Sequence, residues 1–520
     1  MKKTIRVIDG KGNKVDKEIQ YIPGRYISAI LITMLEIIMV IGLMFLLAYY
    51  IPYFYLAIYA TVIGVVISII ASQDNPDYKV PWLLFVITVP IVGFMFYFLF
   101  YKRKLTNKLS KRLKYVNDSL NIDDSVCFEK IKQENKLIAS QALSLTNISS
   151  SHLYQNTKID YYSLGEEMHE AILKELKKAE KFIFLEYFII EEGIFWNSIL
   201  DILIEKAKEG IEVKVLYDDI GCMTTLPGNY YKILQNYNID CVPFARLKGQ
   251  ADNEFNNRSH RKILVIDGKV GFTGGVNIAD EYINEKEKFG HWKDTGIKLE
   301  GAAVNELTKL FLTDFYINVK QESRELDKYY VNYKVESSSY LIPFGDGPRP
   351  MYEKYVGKTV IMNMLSSATD YIYITTPYLI VDNEMTRAIE NASLRGVDVR
   401  IIVPHIPDKK LVFMMTKSNY QILMKSGVKI YEYAPGFIHA KSFISDDKTA
   451  MIGTINLDYR SLTHHFENGV WLYNDKSILD MKKDFMETQK KSIYMNNKEV
   501  KDSLLSKVIR AIVRIFSPLL

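Results

Sequence analysis

Residues 260–277 read HRKILVIDGKVGFTGGVN, and residues 439–456 repeat their pattern as HAKSFISDDKTAMIGTIN. The repeat keeps five polar or glycine positions in one unbroken register, 179 residues apart: His260, Lys262, Asp267, Gly274 and Asn277 recur as His439, Lys441, Asp446, Gly453 and Asn456. Five matches in one register indicate an internal duplication.

Each copy predicts a β-hairpin. The histidine and the lysine stand two apart, so they face the same side of a strand, and the apolar run that follows continues this strand into a core. Asp267-Gly268 predicts a tight turn, which residues 446–448 replace in the second copy. The glycines that end the return strand indicate a close approach of the backbone to another group.

The residue types of the repeat suit phosphoryl transfer. A lysine neutralises phosphate oxygens, a histidine attacks phosphorus or carries protons, and an asparagine adds a neutral donor. One histidine-lysine pair would indicate little more than a polar surface. Two copies place two histidines and two lysines around one pseudo-symmetric centre, which suits a displacement with a nucleophile on one side of phosphorus and an acid on the other.

The motif H-x-K-x4-D, followed by a glycine-rich step and an asparagine, resembles that of the phospholipase D superfamily, and within it that of the bacterial cardiolipin synthases. Narrower features of that family also match, namely FNNR at 255–258, HWKD at 291–294, NLDYRS at 456–461 and FE at 466–467. The resemblance extends from about residue 75 to the end of the chain.

This resemblance implies two phospholipase D-like α/β halves related by a pseudo-two-fold axis. It also implies transfer of a phosphatidyl group from one phosphatidylglycerol to another, with release of glycerol, through a covalent phosphohistidine. His260 would be the nucleophile and His439 the acid and base, although the residues alone leave these two roles interchangeable. Hydrolysis by a phospholipase D, another phosphatidyl transfer, and an inactive membrane-anchored module that binds lipid or nucleic acid are the alternatives.

The predicted catalytic group consists of the motif residues His260, Lys262, Asp267, His439, Lys441 and Asp446. Its two aspartates stand at the hairpin tips, where they are expected to serve the turns. Asp294 and Glu467 are better partners for the imidazoles, because they match the acidic positions of the resembled family and each follows the histidine of its own copy. The predicted phosphate-binding positions, besides the two lysines, are Asn277, Asn456, Gly275 and Thr454. No metal or cofactor is expected.

A second pair of histidines, His464-His465, has a structural interpretation. Adjacent residues on a strand face opposite ways, which does not suit a shared metal. His465 also stands where the resembled family usually has asparagine.

The alternation of helix-like and strand-like segments predicts parallel α/β sheets in each half. The first half is assigned to residues 161–335 and the second to 336–500. Helix, strand, helix and strand follow in the same order in both, before each copy of the motif.

The amino-terminal region predicts membrane segments. Residues 1–25 form a basic, solvated arm, and residues 26–101 contain apolar runs sufficient for two or three membrane helices, at about 20 residues for each crossing. Residues 102–160 form a basic juxtamembrane segment and a connector, and the positive-inside rule places them in the cytoplasm. Residues 501–520 predict an amphipathic helix that lies on an anionic membrane or packs on its own domain.

Composition narrows the class of protein further. A net charge of +5 over 520 residues indicates no extensive nucleic-acid surface, and the dense basic run adjoins the apolar segments instead. Three widely spaced cysteines indicate neither a disulfide framework nor a zinc site. The expected partners are phosphatidylglycerol and anionic membrane lipids, at the cell membrane.

Overall fold

The computed structural model describes residues 2–8, 14–20, 24–50, 53–72, 75–100, 115–116, 119–120, 122–246, 257–319, 326–349, 351–496 and 515. They belong to two compact units. The larger unit comprises Met1–Tyr21, Thr106–Arg246 and Asn257–Lys501, and it holds both copies of the motif. The smaller unit comprises Ile22–Leu105, Leu247–Asn256 and Asp502–Leu520.

The first half of the larger unit is built on a seven-stranded sheet of order β3-β10-β8-β7-β4-β5-β6. Its strands are β3 Thr157–Tyr162, β4 Phe182–Tyr187, β5 Glu212–Asp218, β6 Ile239–Phe244, β7 Lys262–Ile266, β8 Val270–Gly274 and β10 Gly296–Gly301. Its helices are Gly165–Leu176, Ile194–Lys208, Tyr230–Gln235 and Val304–Asn318, with a 3-10 turn at Asp280–Ile283.

The second half repeats this order in an eight-stranded sheet, β11-β20-β18-β17-β12-β14-β15-β21. Its strands are β11 Tyr340–Asp346, β12 Tyr371–Thr375, β14 Asp398–Pro404, β15 Lys429–Tyr433, β17 Ser442–Ser445, β18 Thr449–Gly453, β20 Glu467–Tyr473 and β21 Ser492–Tyr494. Its helices are Val356–Ser367, Asn383–Leu394, Lys410–Lys425, Tyr459–Thr463 and Lys476–Lys490. A separate parallel pair is formed by β13 Leu379–Ile380 and β19 Leu457–Asp458. The α/β class and the duplication are confirmed.

The prediction of parallel sheets is correct only for three neighbouring strands toward one end of each sheet. Strands β4, β5 and β6 are parallel, as are β12, β14 and β15. The motif hairpins β7-β8 and β17-β18 are antiparallel, and each joins the parallel strands in an antiparallel sense. A tight turn reverses the chain, so a hairpin cannot continue a parallel sheet.

The predicted turns of both hairpins are confirmed. Asp267 and Gly268 have φ of 55° and 65°, and Asp446 and Asp447 both have φ of 55°. Two successive left-handed residues are the conformation of the two-residue turn that matches the twist of paired strands. Glycine adopts it without a steric penalty, and aspartate tolerates it better than most residues.

The two halves share one hydrophobic core. Ile263, Val265 and Leu299 of the first sheet belong to the same buried cluster as Ile444, Ile452 and Val470 of the second. The helix Val304–Asn318 contributes Leu307, Phe311 and Phe315 to this cluster, and all its residues from Val304 to Phe315 are buried. Each sheet also has a separate core on its other face.

The segments that precede the first half are partly described. Residues Lys2–Ile8 and Lys14–Gln20 form an antiparallel hairpin, β1-β2, within the predicted solvated arm. The smaller unit contains the helices Gly24–Tyr50, Phe54–Ala71, Pro76–Thr88 and Pro90–Phe100, and the connector contains Ser125–Glu134 and Lys136–Ser149. No helix in the described part of the chain meets the length and apolarity of a membrane span.

Two predicted segments fall largely outside this description. The basic run at 102–114 and the amphipathic helix at 501–520, apart from residue 515, lie outside the described residues.

Candidate active site

The two motif histidines lie where the halves meet, and each is held by the main chain of the opposite half. The backbone N–H of His260 donates to the Phe466 carbonyl at 2.8 Å, and that of His439 donates to the Lys293 carbonyl at 2.7 Å. These contacts belong to short parallel pairings between the halves. β9 (His291–Lys293) pairs with β16 (Gly436–Ile438), and Ser259 pairs with Phe466.

Each imidazole is paired with the acid of the other half. Nδ1 of His260 lies 2.9 and 3.0 Å from the carboxylate oxygens of Glu467, and Nδ1 of His439 lies 2.6 Å from Oδ2 of Asp294. Both predicted acids therefore contact imidazoles, but the expectation that each would serve the histidine of its own copy is wrong. The reason is geometric, because the pairings between halves place each acid directly after the carbonyl that anchors the opposite histidine.

The two pairs combine neutral imidazoles with ionised carboxylates. Burial lowers the pKa of His260 to about 3 and, together with Lys441, that of His439 to about 4. Burial alone would raise the pKa of Glu467 and Asp294. The imidazoles of His260 and His465 hold the pKa of Glu467 below its ordinary value, and His439 and Lys441 do the same for Asp294. Nδ1–H then donates to the carboxylate, which leaves the lone pair of Nε2 available for attack.

The two lysines are buried beside the histidines. Nζ of Lys262 donates to the His260 carbonyl at 2.6 Å, and Nζ of Lys441 donates to the His439 carbonyl. Burial lowers the pKa of Lys262 to about 7, and Lys441 contributes in the same direction. Burial also lowers the pKa of Lys441 to about 8. The charge of Lys262 also depresses the pKa of His439, so the groups of the two halves act on one another.

The positions after the motif glycines differ between the copies. A Cβ on Gly275 would lie 2.1 Å from Oδ1 of Asp294, so this glycine permits the close approach of that acid. Thr454, at the equivalent position, donates its hydroxyl to Glu467. Ser461 donates to the other carboxylate oxygen of Glu467 at 2.6 Å. Gly275 and Thr454 thus each adjoin the acid of a histidine-acid pair, and their role in phosphate binding stays a prediction.

The two predicted asparagines are buried in different surroundings. Oδ1 of Asn277 accepts the backbone N–H of Ile189 at 3.1 Å, and its Nδ2 donates to the Tyr282 hydroxyl at 2.7 Å. Oδ1 of Asn456 is buried without a hydrogen-bond partner in the described part of the chain. Its backbone N–H donates to Ser461 at 2.8 Å. The amide of Asn456 thus retains unused hydrogen-bonding capacity.

The two motif aspartates do not reach the imidazoles. Asp267 accepts the backbone N–H groups of Glu180, Lys181 and Phe182 at 2.7–2.9 Å. Asp446 accepts those of Thr369, Asp370 and Tyr371 at 2.8–2.9 Å. Each carboxylate fastens the hairpin turn to the start of the neighbouring parallel strand. Asp267 and Asp446 were predicted among the catalytic residues, but in the structure they support the hairpins, as their positions at the turns also suggested.

Sequence reasoning missed one histidine of the site. Nδ1 of His465 is 3.8 Å from Oε1 of Glu467, and the ring centroids of His465 and His260 are 5.6 Å apart. The rule of alternating strand faces did not apply, because the helix Tyr459–Thr463 ends just before this residue and β20 begins at Glu467. The adjacent histidines 464 and 465 were the sequence signal for a residue of the site. They lie in the turn between this helix and β20, so the alternation of strand faces does not decide where they point.

Arg261 was also missed. It is fully buried, forms an ion pair with Asp314 at 3.2 Å, and donates through Nε to the Glu467 carbonyl at 3.0 Å. It therefore fixes the strand that carries Glu467 to the first half. The second copy has Ala440 at the equivalent position, so this anchor exists on one side of the site only.

One group of side chains has the spacing of metal ligands within the described ranges. It consists of His260, His465 and Glu467, whose ligand atoms all lie within 4.8 Å of one another. Apart from His465, the site supplies two imidazoles, two carboxylates and two buried amines. Such a set can bind a phosphodiester anion, attack its phosphorus and carry protons without a further group.

Comparisons with known proteins identify the family to which the two halves are similar. A family model described as cardiolipin synthase, PLD-like domain, matches residues 172–311 and 361–488. A second model, described as phospholipase D-nuclease N-terminal, matches residues 60–100. The first match covers both copies of the motif.

Individual relatives agree with the family models. An uncharacterized protein of Streptococcus mutans serotype c is 41% identical over 466 residues, which are 88% of this chain and 100% of that protein. A cardiolipin synthase of Alkalihalophilus pseudofirmus is 34% identical over 480 residues, 88% of this chain and 92% of that protein. The crystal structure of phosphatidylserine synthase from Haemophilus influenzae Rd KW20 shares the fold, with a TM-score of 0.57, 17% identity, and coverage of 74% of this chain and 100% of that one.

Proposed function

This chain belongs to the cardiolipin synthase family of phospholipase D-like proteins and is a phosphatidyltransferase, and on that premise we propose that it joins two phosphatidylglycerol molecules into cardiolipin with release of glycerol. The observation that carries the proposal is the exchange of acids between the halves. It supports two oriented imidazoles at one interface, beside two buried amines.

The first step is attack of His260 on phosphorus. Nε2 forms a P–N bond, the P–O bond to glycerol breaks, and His439 donates a proton to the departing glycerol oxygen. Glu467 stabilises the positive charge that develops on the His260 imidazole. The neutral state of the free His260 suits it to act as nucleophile at neutral pH.

The second step is the reverse reaction with a different alcohol. His439 accepts the proton from a glycerol hydroxyl of the second phosphatidylglycerol, whose oxygen attacks phosphorus and breaks the P–N bond. The product is cardiolipin, and both histidines regain their starting protonation. Lys262 and Lys441 neutralise the non-bridging phosphate oxygens in both steps, and the side-chain amide N–H of Asn456 donates a further hydrogen bond to one of them.

His439 must carry a proton when the leaving group departs, whereas burial keeps it neutral in the free protein. A bound phosphodiester anion favours the charged form of a neighbouring imidazole. We therefore assign proton uptake at His439 to substrate binding.

The test is a reaction of the purified full-length protein with phosphatidylglycerol vesicles. We expect cardiolipin and glycerol in equal amounts, and none with H260N or H439N. Phosphatidic acid as the main product would instead identify a hydrolytic phospholipase D. Absence of any product under conditions in which a relative makes cardiolipin would contradict the proposal.

The assignment of the nucleophile has its own test. Quenching the reaction with denaturant and analysing peptides by mass spectrometry should place the phosphatidyl adduct on His260. H439N should still form this adduct with phosphatidyl-p-nitrophenol, because that leaving group needs no proton. An adduct on His439 would reverse the two roles.

We also propose that the chain acts at the cell membrane, with residues 161–335 and 336–500 as the two catalytic halves on the cytoplasmic face. The apolar runs within 26–101 and the basic run that follows them support this placement. A reporter fused after Lys114 should be active inside the cell. Activity only outside the cell would overturn the orientation.

A further inference from the structure

His465 gives Glu467 a second imidazole neighbour. Its Nδ1 lies 3.8 Å from Oε1 of Glu467 and makes no hydrogen bond in the described part of the chain. Nδ1 of His260 lies 2.9 Å from Oε2 of the same carboxylate. Two imidazole nitrogens therefore converge on one acid, and only that of His260 is close enough to form a hydrogen bond with it.

The spacing of the three side chains suits a transition-metal ion. Ligand atoms about 2.0–2.2 Å from a tetrahedral zinc ion stand roughly 3.5 Å apart, and the three ligand atoms here lie within 4.8 Å of one another. Two imidazoles and one carboxylate are a ligand set that binds zinc in other proteins and leaves a fourth position open to water. Small side-chain movements would bring all three atoms to bonding distance.

The surroundings of Glu467 also suit a metal ligand. The hydroxyls of Thr454 and Ser461 donate to its two oxygens and fix the orientation of the carboxylate. Hydrogen bonds from outside the ligand set commonly orient metal-binding carboxylates in this way.

We propose that His260, His465 and Glu467 form a binding site for a divalent transition metal such as Zn²⁺, and that occupation of this site inhibits the enzyme. The binding part of this proposal goes beyond the proposed function. The inhibition part rests on the proposed role of His260 as nucleophile.

Inhibition follows from the tautomer that the metal imposes. A metal on Nδ1 of His260 takes the position of the proton that this nitrogen donates to Glu467. The neutral imidazole then carries its proton on Nε2, so Nε2 has no lone pair with which to attack phosphorus. Removal of the metal restores the original hydrogen bond, so the inhibition is reversible.

Two buried amines oppose the binding of a cation. Nζ of Lys262 already donates to the His260 carbonyl at 2.6 Å, and Nζ of Lys441 donates to the His439 carbonyl. The metal and the phosphodiester substrate should compete, because both need the imidazole of His260.

The test is zinc binding to the full-length, tag-free protein after treatment with EDTA. Isothermal titration with ZnCl₂ should reveal a site in the wild type that H465N weakens at least about tenfold. H405N is the matched control, since His405 also pairs with an acid, Glu432, at 2.8 Å, but lies outside the group of three. Its zinc affinity should equal that of the wild type.

The activity measurement is separate from the binding measurement. The zinc concentration for half inhibition should rise at least about tenfold in H465N, EDTA should restore wild-type activity, and Mg²⁺ should not inhibit, because imidazole ligands favour zinc over magnesium. Zinc that binds through His465 without inhibiting would contradict the role given to His260 while leaving the site intact. If no transferase activity is found, the titration alone decides.

Equal zinc affinity of the wild type and H465N overturns the proposal, as does the absence of zinc binding in the wild type. Thermal unfolding provides a further readout, because a metal that binds the folded state raises the unfolding temperature. Zinc should raise it for the wild type and H405N but not for H465N. H465Q replaces H465N if that variant does not fold.

Discussion

At the scale of residues, the two histidine-acid pairs of the site have the same chemistry, but their carboxylates are held by different hydrogen bonds. His260 and His439 each contact an acid of the opposite half, yet Glu467 accepts hydrogen bonds from two hydroxyls while Asp294 accepts one from the backbone N–H of Thr295 at 2.8 Å. Hydrogen bonds to a charged group contribute about 1.5–3 kcal/mol each. The carboxylate beside the proposed nucleophile is therefore the more firmly held.

Thr454 is the first position at which this difference can be measured. T454V keeps the shape of the side chain and removes its hydrogen bond to Glu467. We expect a decrease of about tenfold in kcat with little change in KM, equally for phosphatidylglycerol and phosphatidyl-p-nitrophenol, because both require attack by His260. T454S should restore the wild-type rate. An unchanged kcat in T454V would remove Thr454 from the positioning of Glu467.

Gly275 is the matched position on the other side of the site. G275A would place a Cβ 2.1 Å from Oδ1 of Asp294 and displace that acid from His439. General acid catalysis contributes about 10²–10⁴-fold, so we expect a loss of roughly 10²-fold with phosphatidylglycerol. Phosphatidyl-p-nitrophenol should be affected far less, because its leaving group needs no proton. Equal losses with both substrates would indicate general misfolding of the site.

The buried lysines predict the dependence of kcat/KM on pH. Their pKa values are lowered to about 7 for Lys262 and about 8 for Lys441, so both lose their positive charge as pH rises through this range. The phosphate anion binds less tightly once the lysines have lost their positive charge. Above these pKa values, kcat/KM should fall by about tenfold per pH unit for each proton required. K441Q should be less active and its decline should begin at higher pH, because Lys262 no longer faces a second cation. A flat profile up to pH 9.5 would contradict this account.

At the scale of elements, the short strands between the halves determine which acid meets which histidine. β16 (Gly436–Ile438) pairs with β9 (His291–Lys293), and the chain continues from β16 directly into His439. The backbone at Gly436 is so close to β9 that a Cβ would lie 2.3 Å from the His291 carbonyl oxygen. This pairing sets the position of His439 relative to Asp294.

The variant G436A tests this pairing. We expect a decrease of about 1–3 kcal/mol in the free energy of unfolding, as for other overpacked sites, and a marked loss of activity with phosphatidylglycerol. G210A is the control. A Cβ at Gly210 would meet no atom within 4 Å, but the φ of 87° at this position is unfavourable for alanine, so this substitution strains only the backbone. G210A should lose stability but keep its activity. Full activity in G436A would mean that β9 and β16 need not pair for catalysis.

The repeated motif predicts the hairpins, because their causes are local. The alternation around Lys262 and the turn at Asp267-Gly268 depend on neighbouring residues, and the structure has both as predicted. The antiparallel strands β10 and β20 were not predicted, since the sequence cannot reveal which strands become neighbours across a sheet. The regular order of helices and strands indicated only the three parallel strands toward one end of each sheet.

The exchange of acids could not be predicted from the sequence for a related reason. Asp294 and Glu467 follow the histidines of their own copies, and order along the chain favours pairing within each copy. The exchange arises from backbone pairing between segments that are far apart, such as Ser259 with Phe466. The resemblance to the family, together with the need of an imidazole for an acidic partner, selected both acids, whereas the histidine that each acid contacts depends on tertiary structure.

At the scale of the whole molecule, the duplication produced one unit rather than two independent halves. Neither half contains a motif histidine together with the acid that it contacts, and the inner faces of both sheets contribute to one buried cluster. A half separated from the other would expose this cluster to water. At about 25 cal/mol for each Å² of apolar surface, such exposure is strongly unfavourable.

This unity predicts that one chain contains a complete site and that two defective chains cannot repair one another. H260N and H439N, expressed together in one cell and purified as a mixture, should have no more activity than either variant alone. Both histidines of a site belong to one chain, and the shared core opposes exchange of halves between copies. Wild type expressed with H260N is the control, and it should keep activity in proportion to its amount. Activity restored in the mixture of H260N and H439N would mean that halves from two chains meet to form the site.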